Sequence, residues 1–197
     1  MRISRVLRTS AALVLLLAAG ACFERVKTSP QADAKLERRE LAEATIAQWS
    51  NFSSVTARRL MEVYGAPDGV RADRLIWFKN GPWQRTIVFN LRGIAETGAE
   101  HDIIEQAVGY SLTPKQAADV SSIDGRVYFN PHDGLLASRA GQEELNILRL
   151  NLADDVVHGR LTPEAARGSY ERMVSLEQSG KTSPYLLGLR FTPEAQP

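Results

Sequence analysis

An apolar run, Ala11 to Ala19, follows three arginines at the amino terminus and constrains how much of this chain can belong to the folded part. A basic start, an apolar core of about 7–15 residues and a small-residue exit are typical of a secretory signal. The run is too short to cross a bilayer as a helix, which takes roughly 20 apolar residues. The sequence therefore predicts a signal peptide over residues 1–21 and an exported chain of 176 residues after it.

The only cysteine of the chain, Cys22, follows directly on this small-residue exit. The stretch Ala19-Gly20-Ala21-Cys22 resembles the lipobox of bacterial lipoproteins, with Ala19 where that family most often has leucine. The resemblance implies cleavage before Cys22 and attachment of a lipid, with acyl chains such as palmitate, to its thiol. Phe23 follows in place of aspartate, and by resemblance to the sorting pattern of enteric bacteria this favours the periplasmic side of the cell outer membrane. The alternative is an ordinary signal peptide with a cysteine near its cut.

Composition limits how the exported chain is stabilised and what it binds. A single cysteine that carries lipid leaves none for a disulfide, so a hydrophobic core must hold the fold. A chain of 176 residues is long enough for one domain with such a core. From Cys22 onward it carries 21 basic and 23 acidic side chains, a net charge of −2. This near-neutral balance argues against a nucleic acid as partner.

After a lipidated tether over residues 22–30, the sequence predicts a soluble periplasmic domain over residues 31–197 that begins with two helices. Residues 31–49 are rich in alanine and charged side chains, and residues 55–64 form the second helix after a break at 51–54. The side chains of this second helix that we expect to face the core are Val55, Leu60 and Val63.

Strand patterns occupy the middle of the domain. Asn80-Gly81-Pro82-Trp83 predicts a hairpin turn between strands at residues 75–78 and 85–91. Residues 102–110 alternate in polarity and predict a third strand, with a helix as the alternative reading. A second hairpin is expected from the strands at residues 126–129 and 135–140.

The remaining elements are mainly helical. Thr113-Pro114 and Thr162-Pro163 each pair an N-cap residue with proline at the first helical position. Residues 142–158 form the most regular helix, and residues 185–191 are apolar enough for an edge strand. The expected fold class is therefore α+β, a single domain with a mainly antiparallel sheet of hairpins covered by helices. The core stripe of the helix over residues 142–158 is expected to be Leu145, Leu148, Leu152 and Val156.

Charge is unevenly distributed along the domain. Residues 58–92 carry seven basic and three acidic side chains, whereas residues 93–125 carry one basic and six acidic ones. The simpler interpretation is that the two segments pair across the sheet. The alternative is a basic face for anionic lipid or an acidic partner.

The three histidines are the natural starting point for a search for chemistry, since each lies near a carboxylate. His158 is four residues after Asp154, a spacing that places both on one helix face. A zinc site takes three or four converging ligands, and helix-end and turn positions account for His158 and His132 without a metal. We therefore expect no catalytic residue, no metal and no cofactor. The alternative is a metal-dependent or hydrolytic periplasmic enzyme that uses His101, Asp102 and His132.

Trp83 and Arg85 are the candidate residues for contact with a partner. A tryptophan just after a hairpin turn, beside an arginine, is typical of a protein-contact hot spot or of a membrane-interface anchor. The alternative is that Trp83 folds back over the hairpin.

Three stretches, residues 61–89, 101–106 and 146–159, resemble a family of bacterial envelope proteins, and this resemblance implies no activity. Tyr64-Gly65-Ala66-Pro67, between a helix and a strand that carries Trp77, is similar to a feature of the SmpA/OmlA-type lipoproteins of outer-membrane protein assembly. The long C-terminal helices have no counterpart in that small fold.

These observations favour a lipid-anchored envelope protein that acts as a non-catalytic binding or accessory module by protein contact at the periplasmic face. Its expected partners are the membrane, through lipid on Cys22, and an envelope protein. Besides the enzyme, a second alternative is a binder of a small amphiphile, held in an apolar cavity between sheet and helices.

Overall fold

The computed structural model describes residues 29–91 and 102–195, which form a single α+β domain with an open antiparallel sheet. This confirms the predicted fold class. The predicted signal, Cys22 and His101 lie outside the described residues. In chain order the described elements are α1 (Pro30–Ile46), α2 (Asn51–Tyr64), β1 (Gly69–Arg71), β2 (Arg74–Asn80), β3 (Trp83–Phe89), β4 (Ile104–Gly109), α3 (Pro114–Ser121), β5 (Val127–Asn130), β6 (Leu135–Ala140), α4 (Glu143–Val157), α5 (Pro163–Gln178) and α6 (Pro184–Leu187).

The six described strands lie in the order β1-β2-β3-β4-β6-β5, and every neighbouring pair is antiparallel. The turn between β2 and β3 is the predicted one, since Asn80 pairs with Trp83 across it and Gly81 has a φ of 63°. Glycine at the first central position, followed here by Pro82, suits a tight hairpin. The predicted strand near residues 102–110 is also confirmed, as β4.

The helices pack on one face of the sheet, where they form two apolar clusters. One cluster joins α1 and α2 to β2 and β3 through side chains such as Ile46, Leu60 and Trp77. The other joins α4 and α5 to β4, β5 and β6, and the four predicted core residues of α4 are buried in it. A third cluster lies on the opposite face and contains only side chains from strands: Ala107, Leu135 and Ala137, with Tyr128 packed against them.

Helix caps follow the sequence signals. Thr113 and Gln116 form a capping box at the start of α3, and the Thr162 side chain accepts the Ala165 amide at the start of α5. At α2 the prediction was wrong by one turn, because Ser50 caps the helix and residues 51–54 belong to it.

No helix in the described part of the chain is both long and apolar enough to span a membrane.

Two further predictions were wrong. Val55 and Val63 are 56% and 65% exposed, and the small side chains of Ser53, Ser54 and Ala57 are buried beside Leu60 and Met61 instead. Residues 185–191 contain no strand; the short helix α6 lies there, because the Asn151 amide donates to the carbonyls of Tyr185 and Gly188 and fixes this segment against α4.

Candidate protein-contact surface

We call the sheet face opposite the helices the open face, and one row of paired residues crosses it from β2 to β5. In register, this row is Phe78, Arg85, Ala107, Ala137 and Tyr128. The two alanines form its floor and are 0–1% exposed. Because successive strand residues point to opposite faces, small side chains at the centre let the long side chains of the flanking strands lie across the sheet.

Glu105, on β4, holds those long side chains in place. Its Oε1 accepts from Arg85 Nη2 at 3.1 Å, and its Oε2 accepts from Arg139 Nε at 2.7 Å and from the Tyr128 hydroxyl at 2.6 Å. The carboxylate is only 3% exposed, whereas the side chains of Arg85 and Arg139 are 22% and 42% exposed. Glu105 therefore fixes two arginines and a tyrosine whose outer surfaces face solvent.

The pKa values of this cluster reflect burial and hydrogen bonding. Burial alone raises the pKa of the Glu105 carboxyl, but hydrogen bonds from Tyr128 and Arg139 and the charges of Arg139 and Arg85 outweigh it, so the pKa is lowered. Burial and the hydrogen bond to Glu105 raise the pKa of Tyr128 to about 12. At neutral pH the cluster is thus an ionised carboxylate, two guanidinium groups and a neutral phenol.

Arg85 also connects the β2–β3 hairpin to the β5–β6 turn. Its Nη1 lies 3.4 Å from Asp133 Oδ2, which also accepts from Asn130 Nδ2 at 2.9 Å. A pocket of about 370 Å³ lies between the two turns, and Phe78 at its edge is 54% exposed. The residues that line this pocket are Phe78, Lys79, Gln84, Arg85, Asp133 and Leu135.

A stacked group borders the open face on its other side. The guanidinium of Arg139 lies 4.5 Å from the ring centroid of Phe89, and that of Arg74 lies 5.3 Å from it. Such cation–π contacts hold arginine side chains in defined orientations. Arg74 is further paired with Asp73 at 2.7 Å. The open face therefore carries several oriented arginines beside exposed aromatic surface.

Trp83 does not contribute to this surface, which corrects the expectation of an indole presented at the hairpin. Its side chain is 1% exposed, and its Nε1 donates to Tyr64 Oη at 3.2 Å and to Glu143 Oε1 at 3.3 Å. These partners belong to α2 and α4, so the indole lies on the helix-covered face. Lys79, with a φ of 51°, turns the backbone just before the hairpin. Of the two candidate contact residues, only Arg85 lies on the open face.

Asp102 and His132, the two residues of the predicted enzyme alternative that the structure describes, are not brought together. Asp102 lies 3.0 Å from Arg126, near the end where Ile104 pairs with Ala140. His132 is exposed in the turn before β6, at the end where Gly109 pairs with Leu135. The length of β4 therefore separates them. Within residues 29–91 and 102–195, no group of three or more His, Cys, Asp or Glu side chains is placed to hold a metal ion.

The third histidine, His158, belongs to a hydrogen-bonded helix end. Its Nδ1 lies 2.9 Å from the Asp154 carbonyl oxygen and 3.3 Å from Asp154 Oδ1. The same carboxylate accepts from the Tyr110 hydroxyl at 2.6 Å and from Arg160. Asp154 thereby ties α4 to Tyr110, just after β4, and to Arg160 in the turn after α4.

Sequence reasoning found part of this surface and missed its centre. The predicted pairing of the basic segment with the acidic one is confirmed at Arg85 and Glu105, but Arg58, Arg59 and Arg74 pair with carboxylates outside the acidic segment. Glu105 and Tyr128 were not singled out, since their roles depend on strands brought together from distant parts of the chain.

No protein-family model, no curated protein and no solved structure matches this chain.

Proposed function

We propose that this protein is a lipid-anchored accessory protein of the bacterial envelope that binds another protein through the open face of its sheet, without catalysing a reaction. The observation that supports this most directly is the Glu105 cluster, in which one buried carboxylate orients Arg85, Arg139 and Tyr128 toward solvent. Arginine, tyrosine and phenylalanine are enriched at protein interfaces, and arginine and tyrosine dominate their hot spots.

Preorganisation is the physical advantage of this arrangement. A free arginine side chain loses rotamer entropy when a partner immobilises it, about 0.5–1.5 kcal/mol for each such side chain. Arg85 and Arg139 are already held by Glu105, and Arg139 is stacked on Phe89. A partner would therefore meet a surface that has lost most of this freedom on folding.

The proposed anchor strengthens a modest contact. A lipid on Cys22 confines the domain to the membrane surface, where a partner in the same membrane is met at a raised effective concentration. This allows an interface of moderate size to be functional. The pocket beside Phe78 and Arg85 is where we expect an apolar side chain of the partner to bind.

The two alternatives have less support. The enzyme requires Asp102 and His132 to act together, and they lie at opposite ends of β4. The amphiphile binder requires an apolar cavity between sheet and helices. The pocket beside Phe78 lies on the open face, and two larger pockets beside α4 are lined mainly by polar and charged side chains.

The test is in-cell photocrosslinking from position 78, with p-benzoylphenylalanine in place of Phe78 in the full-length chain. We expect a discrete protein adduct that weakens in the Arg85→Ala variant and in the Cys22→Ser variant. Leu187, which is 74% exposed on α6, is the matched control position. Equal adducts from positions 78 and 187, or none from 78, would contradict binding through the open face.

A further inference from the structure

The exposed apolar side chains of the domain are concentrated on its first two helices. Within residues 29–91 and 102–195, eight large apolar residues are exposed, and five of them belong to α1 and α2. Those on α1 are Leu36 and Leu41, and those on α2 are Phe52, Val55 and Val63.

On α2 these residues form one stripe. Phe52, Val55, Arg59 and Val63 follow one another at spacings of three, four and four residues, which places them along one side of an α-helix. The buried residues Ala57 and Leu60 lie on the opposite side, against the sheet. The outer stripe therefore lies on the side of α2 that faces away from the sheet. We call it the α2 stripe.

We propose that the α2 stripe lies on the surface of the membrane that carries the lipid anchor, with its valines among the lipid headgroups and Arg59 at their phosphates. This inference rests on the proposed lipid attachment at Cys22. It goes beyond the proposed function because it concerns a different surface and a different partner.

The length of the tether favours a membrane over a protein as the occupant. Pro30, the first residue of α1, is eight residues after Cys22. At about 3.3–3.6 Å per residue the tether spans at most about 29 Å. The helical hairpin that it enters is thus held within about one domain diameter of the bilayer. The two helices nearest the anchor in the sequence carry five of the eight large apolar side chains that are exposed in the described part of the chain.

The charges beside the stripe are compatible with this placement, because the two arginines of α2, Arg58 and Arg59, outnumber its single acidic residue, Glu62. Arg58 is 3.3 Å from Glu43, and Arg59 is 3.8 Å from Glu144. Both pairs are largely exposed, and exposed pairs contribute little to stability. The two guanidinium groups can therefore exchange these carboxylates for lipid phosphates while their alkyl chains lie along the apolar stripe.

The anchor also explains how so small a stripe is sufficient. Three apolar side chains bind a bilayer weakly, but a tethered stripe meets the surface at high effective concentration. The contact is then expected in the lipidated protein and not in a soluble Cys22→Ser form. Interfacial helices likewise bury an apolar side at the headgroup boundary and place basic side chains near anionic lipids.

The test uses spin labels on the full lipidated protein, reconstituted in vesicles of phosphatidylethanolamine and phosphatidylglycerol. Because Cys22 is the only cysteine and lipidation consumes its thiol, an introduced cysteine is the only one labelled. Labels at Val55→Cys and Val63→Cys report on the stripe. Labels at Leu176→Cys and Leu187→Cys, also exposed but on α5 and α6, are the matched controls.

We expect the ratio of collisions with oxygen to collisions with an aqueous nickel complex to be several-fold higher at 55 and 63 than at 176 and 187. Equal ratios at all four positions would overturn the docking. Labels at 55 and 63 shielded from both reagents would also overturn it, because they would indicate a second copy of the chain. Mass spectrometry of the same samples shows whether Cys22 carries lipid. If the lipid is present and the four ratios are equal, only the docking is contradicted. If the lipid is absent, both the anchor and the docking are contradicted.

Discussion

The indole Nε1 of Trp83 lies 3.3 Å from a carboxylate oxygen of Glu143, a residue 60 positions later in the chain. The other oxygen of that carboxylate accepts from the Tyr64 hydroxyl at 2.5 Å and from Gln106 Nε2 at 2.8 Å. Four elements, α2, β3, β4 and α4, therefore meet at one anionic acceptor. Burial and the neighbouring Glu143 carboxylate raise the pKa of Tyr64, which stays a neutral donor.

The Glu143→Gln variant is expected to lower the free energy of unfolding by about 2 kcal/mol, since hydrogen bonds to charged groups contribute about 1.5–3 kcal/mol. The new amide also places an N–H among groups that are all donors to this position. Urea unfolding followed by circular dichroism measures the change. The matched control is Glu144→Gln, because Glu144 is adjacent, 46% exposed and paired with Arg59 at 3.8 Å; its change should be within about 0.5 kcal/mol. An equal decrease in unfolding free energy in both variants would contradict the role of Glu143 as the acceptor that joins these four elements.

Trp83→Ala is expected to destabilise the domain by about 3–5 kcal/mol, the usual cost of truncating a large buried aromatic side chain. Phe78→Ala, on the exposed side of the same hairpin, should cost less than about 1 kcal/mol. Thermal unfolding of the two variants distinguishes these expectations. If Trp83→Ala unfolds at the wild-type temperature, the indole does not have the buried position described above.

The burial of Trp83 illustrates why the candidate site was only partly predictable. The hairpin itself follows from the four local residues Asn80-Gly81-Pro82-Trp83, and the structure confirms it. The face on which the indole lies depends on the left-handed backbone of Lys79 and on Glu143, and neither is visible in a local pattern. Elements with local signals were therefore predicted, and side-chain partners distant in the sequence were not.

The two sides of α2 were misjudged for a related reason. Periodicity locates an apolar stripe on a helix, but it does not say whether that stripe faces the core or another partner. In α2 the small residues Ser53, Ser54 and Ala57 pack against the sheet, while Val55 and Val63 remain outside. The core side of α2 adds Leu60 and Met61 to these small residues, so both sides of the helix carry apolar side chains, and contact with the sheet decides which side is buried.

Glu105 should make stability dependent on pH. Its pKa is lowered in the folded protein, so its contribution is fully present above the unfolded value of about 4.3 and is lost as pH falls through the lower folded value. Glu105→Gln should cost about 2–3 kcal/mol at pH 7, somewhat less than breaking a fully buried ion pair because both arginines reach solvent. The difference in the free energy of unfolding between wild type and Glu105→Gln should stay constant from pH 6 to 8 and become smaller below about pH 4.3.

Denaturant unfolding at a series of pH values tests this prediction. Glu43→Gln serves as the control, because Glu43 forms an exposed pair with Arg58 and its removal should change stability by less than about 1 kcal/mol. If the difference in unfolding free energy between wild type and Glu105→Gln is unchanged down to pH 3, the ionised carboxylate is not the source of the added stability.

Arg149 links the helix-covered side of the sheet to the open face. Its side chain is 1% exposed, its Nε donates to Asp124 at 2.8 Å, and its Nη1 donates to the Arg139 carbonyl at 2.8 Å. The guanidinium also lies 4.2 Å from the ring centroid of Tyr170. The backbone of Arg139 is thus fixed from one side of the sheet while its side chain binds Glu105 on the other.

Arg149→Lys is therefore not a conservative change, because one ammonium group cannot reproduce two directed hydrogen bonds and a stacked plane. We expect a loss of about 2–4 kcal/mol in the free energy of unfolding, against less than about 0.5 kcal/mol for Arg58→Lys at an exposed pair. Since Arg149 positions Arg139, the variant should also weaken the photocrosslink from position 78 under conditions where it remains folded. A stable Arg149→Lys protein with an undiminished crosslink would show that the open face does not depend on this support.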